Sequence, residues 1–443
     1  MACALSTQSA QARVCRHRSG DDYPINSTGS GGGANGSQQS GLLMSLAKFI
    51  CRNAHWFVIP VAILLLFPSF WMGLGFIATP VLYLARGIAK TSPVPASRVN
   101  LLILILLAMT AFGFALSPAP DLAVLTAGQV VASTMIFFVL SDRIESPTDL
   151  WRVAAVLVAL GVLLALATPF IVIWSPNKLF GLPEIYDQVW PRLPEVANPN
   201  ITAGGIAPIV LVALALVAQD ERRWRVFGAV ALAPLGFMLV LLQSRGALFG
   251  LAIGLAAWAT LYRRWLLPFI PLLALGVLAL NETVGGPPPA EFVYGQVGTS
   301  TSRSLVSRQE IWMQGLYLVR ESPLVGIGLG AYPRVAPYVL PHSVDQPGSS
   351  QPHVHDLFLQ IALDTGIVGL AAFVVLLALA FRSAWYAYHA RIERHLAIGV
   401  LSALVAVIAH GVGDTIVWGT AKPSVFLWIL LCLAFGFEKI REA

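Results

Sequence analysis

Apolar runs of close to twenty residues, separated by short charged loops, decide what this chain can fold into. Leu122 to Leu140, Val153 to Trp174 and Ile201 to Ala218 are three such runs, and Asp142–Arg152, Asp220–Arg225 and Arg263-Arg264 are typical separators. About 20 apolar residues are needed to cross the core of a bilayer as a helix. Inside hydrocarbon every backbone amide must find a partner within the protein, which leaves only helices and closed barrels. A barrel would show ten-residue segments of alternating polarity, and none is seen. The sequence therefore predicts an all-α polytopic membrane protein. Its charged fraction is 11%, against about 25% in a soluble domain.

The runs predict about twelve spans. A tight pair over Ala54–Ala89 comes first, followed by Val99–Leu116, Leu122–Leu140, Val153–Trp174 and Ile201–Ala218. One span then ends at Leu242 and the next begins after Arg245. The ninth finishes by Leu280, and the last three cover Leu357–Phe381, Leu396–His410 and Val425–Phe437. Residues 1–43 read as a disordered tail, because the run from Ser27 to Ser37 is Ser, Thr, Gly, Ala and Asn only and cannot bury apolar surface. Residues 44–280 then hold helices 1–9 with a polar insert at 175–200, residues 281–355 a large polar insert, and residues 356–443 helices 10–12. Cys3, Cys15, Cys51 and Cys432 include no C-x-x-C pair, which supports neither a disulfide framework nor a zinc site of that kind.

Lys and Arg are distributed unevenly between the loops. Of the 28, 20 fall on the side shared by both termini, so that side is predicted to be cytoplasmic and the 281–355 insert to face outward. The net charge of +6 is thus explained by topology and does not call for a nucleic-acid partner.

The remaining outward cations need a reason. Arg245, in Gln243-Ser244-Arg245-Gly246, stands between two spans with almost no loop. It is either a snorkelling residue or a fixed cation for an anionic group at the membrane surface. Arg308 opens an amphipathic stretch, Ser307-Arg308-Gln309-Glu310-Ile311-Trp312, with Arg303 five residues earlier. Either one reads as a solvated helix face, or, with Arg245, as part of a clamp for a diphosphate. Arg320 and Arg334 suit structural loop contacts better. The run Gly326-Ile327-Gly328-Leu329-Gly330 follows Pro323, not a strand, and has neither a P-loop lysine nor a Rossmann acid. A tight packing turn is its expected role. His353 and His355 stand two apart just before a span, next to Asp356. A metal site would need a further ligand that the spacing does not supply. A general base is the other reading, because imidazole titrates near neutrality, with Asp356 either orienting it or capping the next helix. In the later spans His410, Asp414 and Lys422 lie toward the outer face. Asp414 and Lys422 could form a structural ion pair, or Asp414 could serve function.

Taken in order, Ser244-Arg245-Gly246, Ser307-Arg308-x-x-Ile311-Trp312, Ser322-Pro323-x-x-Gly326-x-Gly328-x-Gly330, and His355 with Gly366-Ile367-Val368-Gly369 resemble the O-antigen ligase and polymerase superfamily of GT-C-type membrane glycosyltransferases. The resemblance covers about Leu239 to Leu370. The family pattern is His followed by Asn, Ser or Gln, then nine residues and G-x-x-G; here Asp356 stands in the second position. The resemblance implies His355 as catalytic base and Arg245 and Arg308 as diphosphate ligands, with Arg303, His353, Asp356 and Asp414 as secondary candidates. It also implies transfer of O-antigen from undecaprenyl diphosphate to the lipid A–core oligosaccharide at the outer face of a Gram-negative inner membrane. No cofactor and no metal are expected, and membrane lipids are the surroundings. An O-antigen polymerase or a protein O-oligosaccharyltransferase would share these elements. A lipid-linked glycan transporter is the rival of another class, and it should carry ionisable residues at mid-membrane.

Overall fold

The structure is a computed structural model, and it describes residues 33–67, 72–89, 97–172, 198–283, 300–339, 351–419 and 423–442. Among them the chain is predominantly helical, with no strand. The helices are α1 (Gly33–Arg52), α2 (Ala54–Leu66), α3 (Met72–Ile88), α4 (Asn100–Leu116), α5 (Pro120–Arg143), α6 (Pro147–Ile171), α7 (Pro199–Val217) and α8 (Arg222–Leu242). They continue as α9 (Arg245–Tyr262), α10 (Phe269–Thr283), α11 (Ser300–Glu321), α12 (Tyr332–Val339), α13 (Leu357–Ala390), α14 (Arg394–Gly411) and α15 (Ser424–Glu442). Local chemistry sets several starts. Proline occupies the first turn of α5, α6 and α7, where its missing N–H costs nothing. Ser146 and Asp149 close a capping box on α6.

Seven of these helices are long and apolar enough to cross a membrane: α5, α6, α7, α8, α9, α13 and α14. The chain is a multi-pass membrane protein. Among the described residues each of the expected apolar runs is mainly helical, but not every helix is a full span by itself. In the pair expected over Ala54–Ala89, α2 has 13 residues, a length of about 20 Å against a hydrocarbon core of about 30 Å. It meets the second half of α1 at a bend of 61°, and the two together have the length and composition of one broken span or a re-entrant loop. α1 extends back to Gly33, into the stretch read as a tail. The apolar end of this helix has a surface to pack on: Ala47 is buried with Ala85 and Ala89 of α3. The insert at 175–200 lies outside the described residues up to 197.

α7, α14 and α15 form the centre, with nearly every residue from Thr202 to Leu216 and from Val425 to Phe437 buried. Several polar side chains within this core satisfy one another. Gln129 accepts from Ser424 at 2.9 Å, and Ser133 and Ser424 pair at 2.9 Å, as hydroxyls and amides between membrane helices commonly do.

The loops sort to two ends. At one end Arg86 pairs with Asp142, Arg98 with Glu442, and Trp151 donates to Glu393 at 2.6 Å. At the other end the polar insert is docked onto the helices by its glycine turn. Ile327 N–H donates to Leu363 O at 2.8 Å, Leu329 N–H to Gly113 O at 2.8 Å, and Ile367 N–H to Pro323 O at 2.8 Å. Arg334 pairs with Asp121 at 2.9 Å. The glycine run is therefore the packing turn that its context suggested.

Candidate active site

α13 begins and bends in ways that build this docked end. Asp356 caps it, its Oδ1 accepting from Leu359 N–H at 2.7 Å. Ten residues on, Gly366 (φ 69°, ψ 179°) interrupts the helix, a conformation open to glycine alone. A Cβ there would lie 2.0 Å from Leu324 O. A Cβ on Gly369 would lie 2.2 Å from Thr365 Oγ1. Both glycines of the G-x-x-G element thus serve close packing: Gly366 lets the 322–330 turn lie against the bent helix, and Gly369 makes room for the Thr365 side chain one turn before it and for Met109 of α4.

Immediately before the cap, His355 adopts φ +52°, a left-handed conformation uncommon for a residue with a side chain and often found at functional positions. Its backbone oxygen accepts from Trp312 Nε1 of α11 at 3.2 Å. The turn brings its ring beside that of His353, with centroids 4.3 Å apart and planes inclined by 53°. Both rings meet one carboxylate. Asp414 Oδ1 is 3.0 Å from His353 Nε2 and 3.2 Å from His355 Nδ1. The same oxygen accepts from Thr415 N–H at 2.8 Å, and Asp414 N–H donates to His410 O at 3.0 Å. Asp414 is 5% exposed and His355 20%: the carboxylate is sunk and the imidazole above it reaches the surface.

The two arginines converge on this place. α8 ends at Gln243 in the left-handed region (φ 46°), and Ser244 then caps α9, its hydroxyl accepting from Ala247 N–H. Arg245 therefore stands on the first turn of α9, where the unsatisfied N–H groups and the helix dipole favour an anion. Arg308, half-buried on α11, lies close enough to Arg245 for their charges to repel. Its Nη1 is 3.7 Å from where a Cβ would sit on Gly413, the neighbour of Asp414. Two guanidinium groups, a helix N-terminus and an imidazole on a carboxylate thus lie at one end of the bundle, drawn from α9, α11, the 351–356 segment and the turn after α14.

Residues 229–374 match a family model described as O-Antigen ligase. This stretch is similar to the O-antigen ligase family, which supports kinship with the O-antigen ligase/polymerase superfamily. No curated protein matches the chain. The matched stretch contains Arg245, Arg308, His353, His355, Asp356, Gly366 and Gly369 but stops short of Asp414, which α14 brings back from outside it.

Of the expected site residues, His355, His353, Asp414, Arg245 and Arg308 come together. Asp356 does not orient the imidazole; it caps α13, and Asp414 faces the two rings. Partial burial raises the Asp356 carboxyl above the ordinary aspartate range. The side chain of Arg303, and Lys422 as a partner for Asp414, lie outside the described residues. Two contributors escaped sequence reasoning. Thr415 fixes the Asp414 carboxylate through its N–H. Asp364, wholly buried in α13, accepts from Gly330 N–H at 3.0 Å, Gln360 Nε2 at 3.0 Å and Trp418 Nε1 at 2.9 Å. It ties the glycine turn, the bent helix and the post-α14 segment together. A lone acid inside an otherwise apolar run was the available signal, since such residues are costly in a membrane unless paired.

Proposed function

We propose that this protein is an O-antigen ligase, transferring O-antigen from undecaprenyl diphosphate to a hydroxyl of the lipid A–core oligosaccharide. The observation that carries the reading is the shared carboxylate, with His355 Nδ1 at 3.2 Å from Asp414 Oδ1, at the same end as Arg245 and Arg308. With its Nδ1–H donating to Asp414, His355 presents the Nε2 lone pair as a base, and the buried carboxylate stabilises the imidazolium that forms. The acceptor hydroxyl gives its proton to Nε2 as its oxygen bonds to the anomeric carbon of the donor. The bond from that carbon to the diphosphate oxygen breaks, and undecaprenyl diphosphate leaves. Attack opposite the leaving group inverts the anomeric centre. Arg245 and Arg308 hold the charge that grows on the diphosphate, through forked charge-assisted bonds supported by the α9 N-terminus. Diphosphate is already a good leaving group, so the transfer is assigned no divalent ion.

On this reading the chain has twelve spans in the inner membrane, both termini are cytoplasmic, and the 281–355 insert and site face the periplasm. The concentration of Lys and Arg at the opposite end supports that orientation. The experiment is transfer in vitro with purified protein, lipid-linked O-antigen and lipid A–core, chelator present, comparing the native chain with His355→Ala. Glycan joined to core by the native chain and lost in the variant supports the ligase. Longer lipid-linked chains from donor alone, with no transfer to core, point to the polymerase. No covalent product in either assay points to transport.

A further inference from the structure

The His353–His355–Asp414 cluster has a second chemical capacity. One nitrogen from each ring and one carboxylate oxygen all lie within 4.8 Å of one another. The carboxylate oxygen is 3.0 Å from one nitrogen and 3.2 Å from the other. Zinc held at about 2.0–2.1 Å by three corners of a tetrahedron needs ligand atoms about 3.3 Å apart, so the two measured edges are within a few tenths of an ångström of that shape. The donor set, two imidazoles and a carboxylate, suits zinc and not magnesium, which wants an octahedron of oxygens.

The cluster is also held before any ion arrives. Asp414 is fixed by Thr415 N–H and by its own N–H to His410 O. His355 is fixed by the Trp312 bond to its backbone oxygen and by the cap that follows it. His353 and Asp414 are buried and His355 is partly exposed, which leaves one open side for an ion to enter and for a water to complete the shell.

We propose that these three residues form a zinc site whose occupation switches the transfer off; the inhibitory half rests on the ligase reading above. The reason for inhibition is the tautomer. When His355 Nδ1 gives its lone pair to zinc, the ring proton of the neutral imidazole moves to Nε2. The nitrogen that should accept the acceptor's proton is then a donor. No bond to carbon changes and no electron is transferred; zinc simply occupies the position that the Nδ1–H held. Arg245 and Arg308 oppose a second cation nearby, so the site is predicted to be weaker than a closed structural zinc site, and an anionic donor bound to the arginines to strengthen it.

The test uses tag-free, chelator-washed full-length protein in detergent. Zinc chloride is titrated by calorimetry without substrate, and transfer is measured separately with and without zinc. Expected is one saturable zinc per chain, weakened by about tenfold or more in His353→Ala and in Asp414→Asn, tightened in Arg308→Ala, and unaltered in His389→Ala, at the other end of the bundle. Zinc should stop transfer, chelator should restore it, and magnesium should do neither. Absence of saturable binding, or binding indifferent to His353→Ala and Asp414→Asn, overturns the site. Transfer that requires zinc overturns the inhibitory role. Because binding is read without substrate, failure of the ligase assay alone leaves the zinc result standing, and the converse also holds.

Discussion

Replacing Gly366 by Ala tests how the domain is held together. At φ 69° and ψ 179° the backbone is in a region that a side chain makes unfavourable by about 1–3 kcal/mol. The added Cβ would lie 2.0 Å from Leu324 O, 2.3 Å from Leu324 C and 2.6 Å from Val325 N. All three are backbone atoms, so no side-chain rotation relieves the clash. Relief requires the 322–330 turn to move off α13, which breaks the bonds Ile327 N–H to Leu363 O and Ile367 N–H to Pro323 O. Each buried group left without a partner costs about 1–3 kcal/mol. Strain and two lost bonds together come to about 3–9 kcal/mol, a large part of the 5–15 kcal/mol that holds a typical domain folded. Thermal unfolding of purified protein in detergent should therefore fall by about 5 °C or more, with transfer activity lost at temperatures where the native chain works. Gly73→Ala, where a Cβ meets nothing within 4 Å, is the control and should leave both unchanged. A Gly366→Ala protein melting within about 1 °C of the native chain would refute the packing role assigned to this glycine.

Four further outcomes follow from the site. Asp414→Asn keeps an oxygen near the two rings but removes the charge that favours the imidazolium; with charge-assisted bonds worth about 1.5–3 kcal/mol, kcat should fall about 10- to 100-fold with KM little changed. Arg245→Lys and Arg308→Lys keep the charge and lose the fork, so each should raise KM for the lipid-linked donor more than Ala substitutions elsewhere on α11 do, as read by donor titration. Asp364→Leu leaves Gly330 N–H, Gln360 and Trp418 without their acceptor, and should lower the unfolding temperature far more than Asp364→Asn, which still accepts. At Asp356 the folded carboxyl is raised above 3.8 by partial burial, so its contribution is fully present below that pH and is lost as pH rises through the folded value. Asp356→Asn, which still caps α13, should therefore be the more stable protein near neutral pH, and melting curves of the two should converge as pH is lowered toward 4.

The sequence by itself determined the fold class, and its charge pattern distinguished the two ends of the helices. Apolar runs of membrane-spanning length have one good solution, the helix, and among the described residues each run so identified is mainly helical. Lys and Arg in alternate loops gave the two ends different characters before any coordinate was known. The order Arg245, Arg308, Gly326–Gly330, His355, Gly366–Gly369 was enough to mark the stretch that resembles the O-antigen ligase family, because those elements are fixed relative to one another along the chain. Three things were decided only in three dimensions. The first is the shape of the entry segment: α2 is strongly apolar, but only the structure shows its 13-residue length and its 61° bend from α1. The second is the partner of His355. Asp356 is adjacent in sequence, yet its side chain is committed to the α13 cap, while Asp414, nearly sixty residues away, is carried to the imidazoles by the return of α14. The third is the purpose of the glycines. A spacing of G-x-x-G says nothing about what lies above it, and the Leu324 carbonyl that excludes a Cβ from Gly366 arrives from a separate segment. Periodicity and charge are local or additive properties that a sequence displays directly. Which distant backbone atom or carboxylate fills a given gap depends on how the helices pack, and that information is not confined to any one stretch of chain.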